Sequence, residues 1–193
     1  MSQHFPGPSR TSHVTDAELA ARAAEGDGDA FGQLIERYAP AARRVARALL
    51  GNDHDADDAA QDGFLAAWRA IGRFDTARPF RPWLMRIVLN AARDLGRRRA
   101  VRDTEQLSPA AADQHQGPDH DADRLLLRER LATALARLTE RQRVAITMFD
   151  AEGYAHAEIA EVLGVPEGTV RSDVFHARRA LRADLASFLE VGQ

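Results

Sequence analysis

The chain has 193 residues, room for one or two small domains. It holds no cysteine, which excludes a disulfide framework and any thiolate metal site, and no apolar run nears the roughly 20 residues of a membrane span. The net charge of −3 disguises a block pattern: residues 81–102 carry seven basic and one acidic side chain, and residues 103–123 carry none and six. Such patterning predicts local contact with nucleic acid, plus acidic surface offered to something else.

Residues 1–14 are polar, with Pro and Gly, and lack the apolar core of a secretory signal. They read as a mobile tail of a cytoplasmic protein. Thr15 and Glu18 have the spacing of a capping box, so a first helical module begins there and runs over 15–100. Phe31, Leu34, Ile35 and Tyr38 form one apolar helical face. Val45, Ala46 and Leu49 continue it beyond a kink or break expected at Pro40. A third helix is predicted from near Asp55 to Gly72, then a loop, GRFDTARPFRP, and a helix from Pro82 to Arg99.

That last helix carries two stripes. Leu84, Val88, Ala91 and Leu95 are apolar; Arg86, Asn90, Arg93 and Arg97 lie on another face, extended by Arg98, Arg99 and Arg102. Asparagine on such a face suits a base edge. Phe74, Phe80 and Trp83 stand beside it as candidate stacking platforms, with core filling as the alternative, favoured for Trp83.

Residues 101–123 read as a flexible acidic linker, with no apolar period. Extended, it would reach on the order of 75 Å, about two turns of DNA. A second module spans 124–193. Its first helix bears Leu125, Leu127, Leu131, Leu135 and Leu138. Thr139 and Gln142 cap the next, which contains Val144, Ile146, Met148 and Phe149. A short helix, a turn at Gly164 and a longer helix follow. In the longer one Val170, Val174, Ala177 and Leu181 form the apolar stripe, and Thr169, Arg171, Ser172, His176 and Arg179 the opposite side. This is a helix-turn-helix pattern. Gly168 in the first turn costs roughly 1 kcal/mol against alanine, which makes sense where backbone approaches another surface. No segment alternates like a strand, so the class is all-α: two helical modules, each with a cationic surface, held apart by a flexible tether.

The acidic cluster Asn52–Asp62 has no second cluster to complete a metal site, and it reads as a docking surface for a basic partner. Ser172 and His176 lack an orienting acid, and there is no phosphate loop or nucleophile elbow. No catalytic residue, metal or cofactor is expected.

Five stretches carry a resemblance: GDGDAFGQLIERY, DADDAAQDGFLAAWRAIGRF, FRPWLMRIVLNAARDLGRRR, LTERQRVAITM and EIAEVLGVPEGTVRSDVFHARRALR. In this order, with a linker between the third and fourth, they resemble bacterial RNA polymerase sigma factors of the sigma-70 superfamily, in the extracytoplasmic-function (ECF) group. The resemblance implies that 15–100 is region 2 and 124–193 is region 4, whose helix-turn-helix reads the −35 element.

It implies binding to core RNA polymerase, at the β′ clamp helices and the β flap, and to promoter DNA, with an anti-sigma factor as inhibitor and no membrane insertion. Asp55, Asp58, Gln61 and Asp62 would dock on polymerase. Arg73, Phe74, Phe80, Arg86, Asn90, Arg93, Arg97 and Arg98 would read and help melt the −10 element. Glu167, Gly168, Thr169, Arg171, Ser172, Phe175, His176 and Arg179 would enter the major groove at −35.

The sequence also departs from the family pattern. Ala155 replaces a capping serine, and His156-Ala157 a Tyr-Glu pair. Asp173 stands where a basic residue is frequent and Phe175 where a histidine is. Asp173 is expected on the flank of the recognition helix, weakening a phosphate contact, and Phe175 beside a thymine methyl or a partner protein.

Overall fold

The computed structural model describes residues 14–106 and 122–189, with side chains described over 14–102 and 126–186. All regular structure among the described residues is helical. The expected tail lies outside them except for Val14, and so do residues 107–121 of the expected linker.

Helix α1 spans Asp16–Ala24, and its capping box is present: the Thr15 hydroxyl accepts from Glu18 N–H while the Glu18 carboxylate accepts from Thr15 N–H. Helix α2, Gly28–Leu50, runs through Pro40 without the expected break and ends at Gly51, whose φ of +81° lies in the left-handed region. Its apolar face is long enough to hold it across the one hydrogen bond that proline removes. Helix α3, Asp53–Ala70, gives way to a 3-10 turn, Ile71–Arg73.

Helix α4 spans Phe80–Gln106, longer at both ends than predicted. Residues 100–106 (AVRDTEQ) contain no helix breaker, so nothing stops the helix at Arg99. The linker range read from composition therefore begins inside a helix. It also ends inside one, since α5 spans Ala122–Ala136.

Helices α1–α4 pack as a bundle, with α3 lying along both α2 and α4. Helices α3 and α4 approach closely at Gly63, where a Cβ would stand 2.8 Å from the Val88 backbone. The second module continues with α6, Glu140–Ile146, capped by Thr139 and Gln142 as expected. A π-turn, Thr147–Ala151, follows, then α7, His156–Leu163, and α8, Glu167–Leu189.

The two modules are not held apart. One continuous apolar core runs from Leu19 and Leu34 through Leu84 and Val88 to Val144, Met148, Ile159 and Val170. Helix α7 packs on α4, and α6 packs on α2. Helix α4 also carries a buried stripe that spacing alone left unassigned. Met85, Leu89 and Ala92 are 0 % exposed, beside the expected Leu84 and Val88. A helix apolar over so wide an arc buries it on two sides, and the second module joins that core.

Candidate nucleic-acid interface

The helix-turn-helix is built by its turn. Gly164 adopts φ +70°, and its N–H reaches Ala160 O at 2.9 Å, closing α7. Pro166 stands immediately before α8, its carbonyl accepting from Thr169 and Val170 N–H at 2.9 and 3.3 Å. Val170, Val174 and Ala177 pin the inner face of α8, as the stripe predicted. The serine cap is absent at Ala155, and only the reciprocal half of the box remains, the Glu158 carboxylate accepting from Ala155 N–H at 2.8 Å.

Arg171, Ser172, Phe175, His176 and Arg179 are exposed on the outer side of α8, with Glu167 and Thr169 half-exposed at its start. Glu167 and Arg171 pair at 2.7 Å. Phe175 is 62 % exposed and lies edge-on to His176, with ring centroids 5.5 Å apart. Gly168 is exposed, and a Cβ there would meet nothing within 4 Å, so no packing inside the chain requires glycine.

Asp173 lies on the flank of α8, as expected, but is turned inward and not toward a phosphate. It is 6 % exposed and accepts from Arg141 of α6, with Nε–Oδ2 2.5 Å. Three residues after Val170 and one before Val174, it sits on the inner flank, where α6 supplies the countercharge.

On the first module, Arg73, Arg86 and Asn90 are exposed and make no side-chain hydrogen bond or ion pair among the described residues. Arg97 pairs with Asp94, and Arg98 lies 3.6 Å from Asp62. Arg93 is half-buried and faces Glu140 of the second module at 3.7 Å. The aromatics form a cluster. Phe80 is 3 % exposed, packed against Tyr38, Phe74 and Trp83 at centroid distances of 4.7–6.0 Å within the group. Phe80 is therefore a core residue rather than an open platform; Phe74 and Trp83 keep partial exposure.

On α3, Asp58, Gln61 and Asp62 are exposed, as a docking surface requires. Asp55 is not part of that surface. It is 4 % exposed, receives Asn52 Nδ2–H at 2.8 Å, and pairs with Arg99 of α4. The Asn-x-x-Asp spacing at the start of α3 was the signal for this capping role, since Asn52 Oδ1 in turn accepts from Asp55 N–H at 2.8 Å.

Residues that spacing did not single out join the modules. Arg81 donates to Glu152 O at 2.7 Å and lies over the Tyr154 ring, 3.5 Å from its centroid. Arg44 pairs with the Glu152 carboxylate, Arg78 with Glu161, and Arg143 donates to Ala48 O near the end of α2. Burial pushes the Tyr154 phenol up to about 12, against a smaller opposing effect of Arg81. No group of three or more His, Cys, Asp or Glu among the described residues is arranged to hold a metal ion, and none of the described helices is long and apolar enough to cross a membrane.

Fold and surfaces define a two-module helical protein with a helix-turn-helix and a second basic helix. The model of sigma-70 region 2 matches residues 34–102, and that of sigma-70 region 4 matches residues 128–181. The ECF RNA polymerase sigma factor SigM of Mycobacterium tuberculosis is 39 % identical over 178 residues, covering 92 % of this chain and 88 % of that one. Among solved structures, CnrH in complex with the cytosolic domain of CnrY is 37 % identical with a TM-score of 0.69, covering 89 % of this chain and 97 % of that one. The sigma factor RpoE in complex with the anti-sigma factor NepR, from Bartonella quintana, is 27 % identical with a TM-score of 0.68, covering 81 % and 96 %. The chain belongs to the sigma-70 family of RNA polymerase sigma factors, in the ECF group.

Proposed function

We propose that this chain binds core RNA polymerase and directs it to promoters, reading −35 with the outer face of α8 and −10 with α4 and the loop before it. The observation that carries this is the outer face of α8. Arg171, Ser172, His176 and Arg179 project from a helix whose other side is anchored by Val170, Val174 and Ala177. A helix held in this way enters a major groove as a rigid body, its side chains set against base edges. Arg73, Arg86 and Asn90 offer a second polar surface suited to an opened strand.

Asp58, Gln61 and Asp62 form the polymerase-docking face, and residues 15–100 and 124–193 act as the two reading units. The chain works in the cytoplasm and has no enzymatic activity of its own. Opening a duplex costs a few kcal/mol per base, more than so small a contact supplies, so polymerase contributes the rest. An anti-sigma factor, such as NepR is for RpoE, is the fitting inhibitor.

Run-off transcription with purified core polymerase on a promoter library tests the reading. Specific start sites that depend on added chain are expected; uniform or absent initiation would overturn it.

A further inference from the structure

We infer that Glu167 is a positioning residue for promoter reading: it holds the Arg171 guanidinium in the pose that reads a guanine of the −35 element, and its own charge holds back binding where that base is missing. This inference rests on the promoter-reading role proposed above.

The arginines on the outer face of α8 differ in state. Arg171 donates from Nη2 to Glu167 Oε1 at 2.7 Å, an i,i+4 pair. Arg179, about two turns further on, makes no side-chain hydrogen bond or ion pair among the described residues. In a helix-turn-helix the N-terminal residues of the second helix contact base edges. Glu167 is the first residue of α8, and Arg171 follows one turn later. The tethered arginine is therefore the one placed to meet a base, and Arg179 the one placed as a mobile charge for phosphate.

Stability does not explain the pair. Its side chains stand largely in water, with 67 % of Arg171 and 42 % of Glu167 exposed, and such pairs contribute little to folding. What the pair does is restrict a side chain. A free arginine samples many rotamers, each presenting its planar fork differently. The tether engages a single N–H and leaves the rest of the fork for the bidentate contact to O6 and N7 of guanine. The base of the tether is itself fixed: Pro166 O accepts from Thr169 and Val170 N–H at 2.9 and 3.3 Å, closing the first turn around Glu167.

The carboxylate has a second effect. Residues 167–179 contain two acids, Glu167 and Asp173, and Asp173 is turned inward on Arg141. Glu167 is therefore the one carboxylate on the outer face of this stretch, on a surface that meets phosphates. It opposes binding to any duplex. With guanine in register the Arg171 contact offsets that repulsion; with another base it does not. Specificity obtained through an opposing charge has a defined signature: removing the charge strengthens wrong sequences and weakens discrimination.

The test uses the full chain with core polymerase on a promoter library randomised across the −35 element, following initiation from each template. Arg171→Ala marks the position that Arg171 reads, where the parent is expected to favour guanine. At that position Glu167→Ala should lower the preference for guanine by about three- to tenfold, while initiation from the other bases rises. Glu167→Gln keeps an acceptor for Arg171 without the charge. It should show the same rise and retain more of the preference than Glu167→Ala.

A merely structural role would lower initiation from every template together. That outcome, an unchanged preference, a parent that favours another base there, or a Gln variant no better than Ala would each overturn the inference. If Arg171→Ala flattens no position, the −35 role of α8 fails as well. If it flattens one and Glu167→Ala leaves that position as in the parent, the promoter-reading role stands and only the positioning role falls.

Discussion

Asp173 of α8 is buried against the guanidinium of Arg141 on α6, so a recognition helix carries an acid that faces inward and ties it to its scaffold. The pair is asymmetric: Arg141 keeps half its side chain in water, and Asp173 does not. Arg141→Ala strands a buried carboxylate, whereas Asp173→Asn leaves a neutral amide beside a solvated arginine. Thermal unfolding should show Arg141→Ala lowering Tm by several degrees, clearly more than Asp173→Asn. The double variant should regain part of the loss. An equal effect of the two single changes would mean that the pair does not hold the helix.

Gly168 separates stability from recognition. A Cβ there has open space within the chain, so Gly168→Ala should stabilise the helix by up to about 1 kcal/mol. The same methyl stands on the surface proposed to approach DNA. Denaturant unfolding and −35-dependent initiation should therefore move in opposite directions, stability up and initiation down.

Gly63 shows the reverse case. Its missing Cβ lets α3 lie against Val88, with the backbone 2.8 Å from where a methyl would be. Gly63→Ala should cost about 1–3 kcal/mol of stability through overpacking, read as a lower denaturation midpoint.

Arg171→Ala should reduce discrimination at a single −35 base pair by about 1–3 kcal/mol, with other positions little changed. Asn90→Ala should slow promoter opening, followed by permanganate reactivity, and leave polymerase association intact. Loss of polymerase binding on Asn90→Ala would place α4 in the wrong contact.

The two tyrosines give an alkaline signature. Burial raises the Tyr154 phenol to about 12, and burial and the Asp16 carboxylate, which accepts the Tyr38 hydroxyl, raise the Tyr38 phenol as well. In an unfolded chain both ionise near pH 10. Raised folded values mean that this stability is complete below pH 10 and is lost as pH climbs toward 12. Phenolate absorbance should rise together with unfolding rather than before it. Tyr154→Phe removes one of the two buried phenols and should shrink the alkaline destabilisation to the part that Tyr38 contributes.

What the amino-acid order determined alone was everything governed by local periodicity. The capping boxes at Thr15 and Thr139, the inner stripe of α8 and the turn at Gly164 each follow from residues within one or two helical turns of each other. The polar face of α8 is legible for the same reason, since whatever opposes a buried stripe is outside.

Tertiary structure decided what depends on a partner far along the chain. Asp55 turned inward because Arg99 is there to receive it, and Phe80 because Tyr38 and Trp83 close over it. Met85, Leu89 and Ala92 are core on a helix that packs against α2, α3 and α7 together, not against one neighbour. Helical spacing tells which residues share a face. It does not tell how many faces are covered, because burial is set by the second surface, and that surface lies tens of residues away.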